Sequence, residues 1–297
     1  MDREVDLERR FGGIIRLYGE KKFRLIQNCH VCIVGIGGVG SWVVESLVRH
    51  GVGKITLIDM DHIVESNINR QIHALDSTDG ESKIKAMKDR IIDINPTCVV
   101  DCIDDFLEES NIESHISSRF DFIIDAIDQS SVKTSLAEYC QSKNFSLIMV
   151  GGAGGRVDPA RIKIADLSKT FGDPLLSNIR KHFNKKNKLS KSKYKIPTIF
   201  SDEPIIKSDE CEVDQSGGGL SCDGSKGLIS AVAQKGFQLI AASFAALGLL
   251  ANCLILSGSL KPSSRTLMTN SFTAAAWFFS AVSNLISTRC LRSESEN

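Results

Sequence analysis

The sequence predicts a doubly wound α/β domain built on a mainly parallel sheet. Three observations carry this. Strand-like and helix-like segments alternate from Val31 to Gly155. Two of the strand-like runs, Val31–Val34 and Phe120–Ala126, are apolar enough to be covered on both faces. A glycine run directly follows the first of them and opens the first helix of the series.

The elements follow in order. Val31–Val34 is a short apolar run that ends in glycines. Ser41–His50 pairs Val43 with Leu47 and Val44 with Val48 one helical turn apart. Lys54–Asp59 reads as the next strand. Lys83–Asn95 sets Ile84, Met87, Ile91 and Ile94 on one helical face, and Asn95-Pro96 ends it. Cys98–Ile103 and Phe120–Ala126 are strands. Val132–Lys143 carries Leu136 and Cys140 on a helical stripe, and Phe145–Val150 is one more strand. Arg161–Ala165 is a candidate further strand.

The totals bound the function. A chain of 297 residues accommodates one large domain plus an appended segment, here divided at 1–200 and 201–297. With 42% hydrophobic residues it can bury a sizeable core. Net charge is zero, so any nucleic-acid partner must be met by a local patch. Among nine cysteines only Cys29 and Cys32 form a C-x-x-C pair. Alternation within a strand points those sulfurs in different directions, and no second pair completes a zinc site. Buried, reduced thiols in a reducing, cytoplasmic compartment are expected. Met1–Glu20 is charged and lacks the apolar core of a signal peptide.

Gly35-Ile36-Gly37-Gly38-Val39-Gly40 lies between a strand and a helix, the context a phosphate-binding turn requires. Glycines let the backbone approach phosphates, and the helix start supplies unpaired N–H groups. Asp59, about 20 residues on, can accept from ribose hydroxyls. These features alone suit NAD or FAD as readily as ATP. Arg70 and Lys83 shift the balance, because two further cations suit a triphosphate. Asn67 and Gln71 can donate to phosphate oxygens without adding charge. Asp125-Ala126-Ile127-Asp128 ends a buried strand at the sheet edge where ligands bind, so a carboxylate there can hold Mg²⁺.

Gly35–Gly40, Leu57-Ile58-Asp59-Met60-Asp61, Asn67-Ile68-Asn69-Arg70-Gln71, Lys83 and Asp125–Asp128 together resemble the ubiquitin-activating superfamily, a Rossmann-like group. Arg10-Phe11-Gly12-Gly13, Arg16–Gly19, Ile72-His73-Ala74-Leu75, Gly151–Gly155 and Asp166–Thr170 with Asp173-Pro174-Leu175 resemble its bacterial-type tRNA threonylcarbamoyladenosine dehydratases. The resemblance runs from about Arg9 to Ser201. It implies a dimeric, ATP-dependent enzyme of the ligase class that adenylates the threonyl carboxylate of a modified adenosine beside the tRNA anticodon and closes it into a ring. It assigns Gly35, Gly37, Gly38 and Gly40 to phosphate and Asp59, with Asp61 nearby, to the nucleotide. Arg70 and Lys83 fall to the phosphates, Asn67 and Gln71 to supporting contacts, and Asp128 to Mg²⁺. An arginine that reaches across the dimer in the superfamily falls on Gly13 here, so either Arg10 or Arg16 replaces it or the role is lost. Alternatives are an activator of a ubiquitin-like or sulfur-carrier protein and an inactive nucleotide-binding partner. The paired C-x-x-C motifs of the sulfur-carrier activators are absent.

Arg180–Lys195 holds eight cations and no acid, with Tyr194 as a stacking residue. It is expected to form a mobile flap that contacts tRNA. Gly236–Leu260 is uncharged and exceeds the ~20 apolar residues of a bilayer span. It and Thr266–Thr288 are read as a helical segment packed in the fold or dimer, or as a membrane-associated hairpin.

Overall fold

The computed structural model describes residues 5–156, 158–186 and 194–205. Two N-terminal helices, α1 (Leu7–Tyr18) and α2 (Glu20–Asn28), precede β1 (His30–Val34) and α3 (Gly40–Arg49). There follow β2 (Lys54–Ile58), α4 (Lys83–Ile94), β3 (Val99–Ile103), a one-turn α5 (Ile112–His115) and β4 (Phe122–Asp125). The described chain closes with α6 (Ser130–Lys143), β5 (Leu147–Val150), β6 (Ile162–Asp166), α7 (Pro174–Lys186) and β7 (Pro197–Ser201).

The strands form one sheet in the order β3-β2-β1-β4-β5-β7-β6. All pairings are parallel except β6 with β7. Arg161–Ala165 is therefore a strand, as anticipated, but an antiparallel one at the edge. Chain order reverses between β1 and β4, which opens a crevice at the carboxyl ends of these two strands. Register aligns Val34 with both Ile58 and Asp125. The residues that follow, Gly35, Asp59 and Ala126, therefore leave the sheet side by side.

Alternation along the strands feeds two cores. Val31, Ile33, Ile55 and Leu57 pack with Val43, Val44 and Leu47 of α3 and with Ile84, Met87 and Ile91 of α4. Cys32, Val34 and Ile123 face the other way, onto Leu136 and Cys140 of α6 and Leu176, Ile179 and Phe183 of α7. Each such aliphatic side chain contributes about 1.5–3 kcal/mol when fully buried. Together they fix α3, α4 and α6 at the angles that bring their N-termini to the crevice.

Two expectations are corrected. The first half of the basic run is not a flap: Arg180–Lys186 continues α7, whose Leu176, Ile179 and Phe183 are buried at i, i+3, i+7 spacing. Residues 187–193 lie outside the described part. Tyr194 does not present its ring for stacking. It is 5% exposed, packs on Phe183 with ring centroids 5.1 Å apart, and donates its hydroxyl to Asn184 Oδ1. The Gly236–Leu260 and Thr266–Thr288 stretches also lie outside the described residues. Among the described residues no helix is long and apolar enough to cross a membrane.

Candidate active site

The glycine turn is dictated by contact. Gly35 has φ +86°, and a Cβ there would lie 3.1 Å from the Ala126 carbonyl oxygen. A Cβ on Gly40 would sit 1.8 Å from the Gly35 carbonyl oxygen, so these two glycines are needed for the turn to close. Gly37 is different: nothing lies within 4 Å of its missing side chain. The space there is open, and it lies beside the start of α3, where helix N–H groups favour an anion.

Asp59 directly follows β2 and is 8% exposed. Its Oδ2 accepts from Ile36 N–H of the glycine turn at 2.6 Å and its Oδ1 from Asp61 N–H at 2.8 Å. Both oxygens keep lone pairs for ribose hydroxyls. Asp61 is in turn joined to Lys83 twice. Lys83 N–H donates to the Asp61 carbonyl at 3.0 Å, and Lys83 Nζ to Asp61 Oδ2 at 2.6 Å. The lysine side chain is 7% exposed and the aspartate 50%. A continuous hydrogen-bonded path thus runs from the glycine turn through Asp59 and Asp61 to Lys83.

The segment between β2 and α4 supplies the other polar groups. Arg70 folds back, donating to Ser66 O at 2.7 Å and Asn69 Oδ1 at 3.1 Å, and burial lowers its pKa. Its carbonyl accepts from Trp42 Nε1 at 3.0 Å, which ties this segment to α3 beside the glycine turn. Asn67 is buried, and its Oδ1 accepts from Val64 N–H at 3.3 Å. Gln71 is buried with Oε1 unpartnered, as are both ring nitrogens of His73. Burial, reinforced by the Lys83 and Arg90 charges, pushes the His73 pKa down to about 4, so the ring is neutral near pH 7.

Across the crevice, β4 ends in Asp125, which is wholly buried against Lys133 of α6 at 2.7 Å. Burial raises the Asp125 pKa while the Lys133 charge opposes it. Asp128, three residues on, is exposed. Asp125 is engaged by an internal cation, so Asp128 is the carboxylate of this loop that faces solvent. Among the described residues no three His, Cys, Asp or Glu side chains converge on one point. A divalent ion here would therefore take most of its ligands from phosphates and water, the usual habit of Mg²⁺.

Arg10 stands apart. Its guanidinium donates to the Asp93 and Ile94 carbonyls at the C-terminus of α4. Lys83 begins the same helix, so the two ends are separated by ~16 Å at the α-helical rise. In its own subunit Arg10 does not join the glycine turn. Lys83 is singled out by the sequence, but its pairing with Asp61 is not, and Lys133 looks there like an ordinary helix cation.

Comparison with known proteins finds relatives in both sequence and structure. The sequence profile of the ThiF family matches residues 11–292, beyond the Arg9–Ser201 region that carries the motif resemblance. The chain is 46% identical over 209 residues to the tRNA threonylcarbamoyladenosine dehydratase of Haemophilus influenzae, covering 69% of this chain and 80% of that protein. It is 45% identical over 200 residues to the enzyme of that name from Escherichia coli, covering 66% and 75%. The crystal structure of the Escherichia coli dehydratase in complex with ATP superposes with a TM-score of 0.70 and 38% identity, over 82% of this chain and 95% of that one. The parallel sheet, the glycine turn and a profile match over nearly the whole length lead to one assignment: this chain belongs to the ThiF family.

Proposed function

We infer that this protein uses ATP to dehydrate and cyclise threonylcarbamoyladenosine next to the tRNA anticodon. The observation that carries the reading is the path from the glycine turn through Asp59 and Asp61 to Lys83, on a chain 46% identical to a protein named for that reaction. A carboxylate oxygen of the substrate attacks the α-phosphorus of ATP and pyrophosphate leaves. A neighbouring atom of the same side chain then attacks the activated carbonyl, and AMP leaves as the ring closes. The modified nucleoside loses one water overall. Hydroxide is a poor leaving group and AMP a good one, so the protein's task is positioning and charge neutralisation.

In this reading Gly35, Gly37, Gly38 and Gly40 present backbone to the phosphates, and Asp59 holds the ribose. Lys83 and Arg70 neutralise the phosphates, Asn67 and Gln71 assist, and Asp61 steadies Lys83. Asp128 would hold Mg²⁺, which supplies additional positive charge at the phosphates. Arg10 reaches a nucleotide only from a second copy of the chain, as a homodimer provides. Arg16, exposed on α1, is the other candidate for that role. The exposed lysines of α7, Lys181 and Lys185, suit the tRNA backbone. Work on tRNA fits the cytoplasm, and the reading gives a membrane no part.

The test is to incubate the protein with ATP, Mg²⁺ and total tRNA lacking the cyclic product. AMP and pyrophosphate should form while the tRNA loses the mass of one water. An adenylate formed on a sulfur-carrier or ubiquitin-like protein, with unmodified tRNA, would favour the carrier-activating reading. Nucleotide binding without turnover on either substrate would mark an inactive partner.

A further inference from the structure

Lys133 is the one lysine whose side chain is entirely sealed from solvent together with its carboxylate partner, among the ion pairs of the described residues. Its ammonium has three N–H donors, and three acceptors meet them. Asp125 Oδ1 lies at 2.7 Å, the Asp125 carbonyl at 3.1 Å and the Ile127 carbonyl at 3.0 Å. Asp125 Oδ1 also accepts from Ile127 N–H at 3.1 Å. The cation therefore grips the backbone on both sides of Ala126. The opposite side of the same loop rests on the glycine turn. Ala126 N–H donates to the Val34 carbonyl at 2.9 Å, and the Ala126 carbonyl stands 3.1 Å from where a Gly35 Cβ would be. Asp128 is the next residue but one.

A buried ion pair is a weak device for stability, since an apolar pair of similar volume usually serves as well or better. What an apolar pair cannot do is hold two main-chain carbonyls. We propose that Lys133 is a positioning residue: its ammonium clamps the Asp125–Ile127 turn against the glycine turn and so sets the Asp128 carboxylate where it meets the divalent cation of a bound nucleotide. This rests on the assignment of Asp128 to Mg²⁺ made above, and it adds a residue that never touches metal or nucleotide.

The test compares the wild type with Lys133→Met/Asp125→Leu, which exchanges the ion pair for apolar side chains and should keep the fold. Thermal midpoints are recorded with ATP in the absence of metal and across a Mg²⁺ titration, with Asp128→Ala alongside. The expected result is a folded double variant whose metal-free ATP affinity stays within about twofold of wild type, while half-maximal Mg²⁺-dependent stabilisation needs roughly tenfold more Mg²⁺ or more. Should the apolar pair fail to fold, Lys133→Met/Asp125→Asn keeps an acceptor for Ile127 N–H and carries the same expectation. A wild-type Mg²⁺ response in the double variant, with the response lost in Asp128→Ala, would overturn the role of Lys133 alone. A wild-type response in Asp128→Ala would overturn the metal assignment and the clamp with it.

Discussion

The two sides of the crevice solve the same problem in opposite ways. At the ends of β2, β4 and β5 a cation stands beside an aspartate: Lys83 with Asp61, Lys133 with Asp125, and Arg156 with Asp173. On the β4–β5 side both pairs are sealed, and their partners hold backbone. Asp173 Oδ2 accepts from Gly152 N–H at 2.9 Å, and Arg156 donates to the Ser201 and Gly172 carbonyls. On the β2 side Asp61 is half-exposed. A pair open at one end can exchange its carboxylate for a ligand's phosphate, whereas a sealed pair has nothing to exchange with. One side is built to respond, the other to stay.

The largest effect that would test this contrast is on the sealed side. Arg156→Met should destabilise the protein by about 3–5 kcal/mol in urea unfolding, because Asp173 is left buried without its cation. A loss below ~1 kcal/mol would break the comparison. On the open side Lys83→Met should leave the urea midpoint nearly unchanged and lower ATP-dependent turnover by about 100-fold, the effect of removing one charge-stabilising donor. A destabilisation as large as that of Arg156→Met would show the two sides to be alike.

His73 sharpens the contrast through pH. Its folded-state pKa of about 4 lies below the ordinary value of 6.5. The unfolded chain therefore takes up the proton first on acidification. Stability from this residue is fully present above pH ~6.5 and is lost progressively as pH falls toward ~4, by up to about 3 kcal/mol. Urea midpoints at pH 5 and pH 7.5 should differ in this sense, and the difference should shrink in His73→Asn. The smallest effect concerns the outer face of α7. Lys181→Gln with Lys185→Gln should weaken tRNA binding a few-fold and leave ATP affinity unchanged. The salt dependence of tRNA binding should flatten by about one unit for each phosphate no longer neutralised. An unaltered salt slope would remove this helix from the tRNA path.

The elements legible in the sequence are those whose burial is periodic. Val31–Val34, Lys54–Asp59 and Lys83–Asn95 announce themselves because most of their inward positions are apolar and regularly spaced. α1 and α2 do not, since Phe11, Phe23 and Ile26 are their only buried residues and charges dominate between them. In α7 the Leu176, Ile179 and Phe183 stripe is present, but the lysines that begin at Lys181 conceal it. Of the site, the glycine turn, Asp59, Lys83 and Asp128 are readable from type and spacing. Lys133 is not, because an i to i+8 pairing of a strand end with the next helix leaves no local pattern. Arg10 escapes for a related reason: its partners, Asp93 and Ile94, are more than 80 positions away and are backbone carbonyls, which sequence spacing does not reveal.

The hydrogen bond from Trp42 to the Arg70 carbonyl makes the site observable. The chain contains two tryptophans, Trp42 and Trp277. Trp42 is half-buried in the first turn of α3, and its indole N–H rests on the segment whose Arg70 would have to unfold from Ser66 and Asn69 to meet a phosphate. Indole emission follows the polarity and hydrogen bonding around the ring. In a Trp277→Phe chain the indole emission, excited on the red edge where tyrosine does not absorb, would belong to that single ring. Occupancy of the crevice could then be read in real time, by stopped flow, with no label attached.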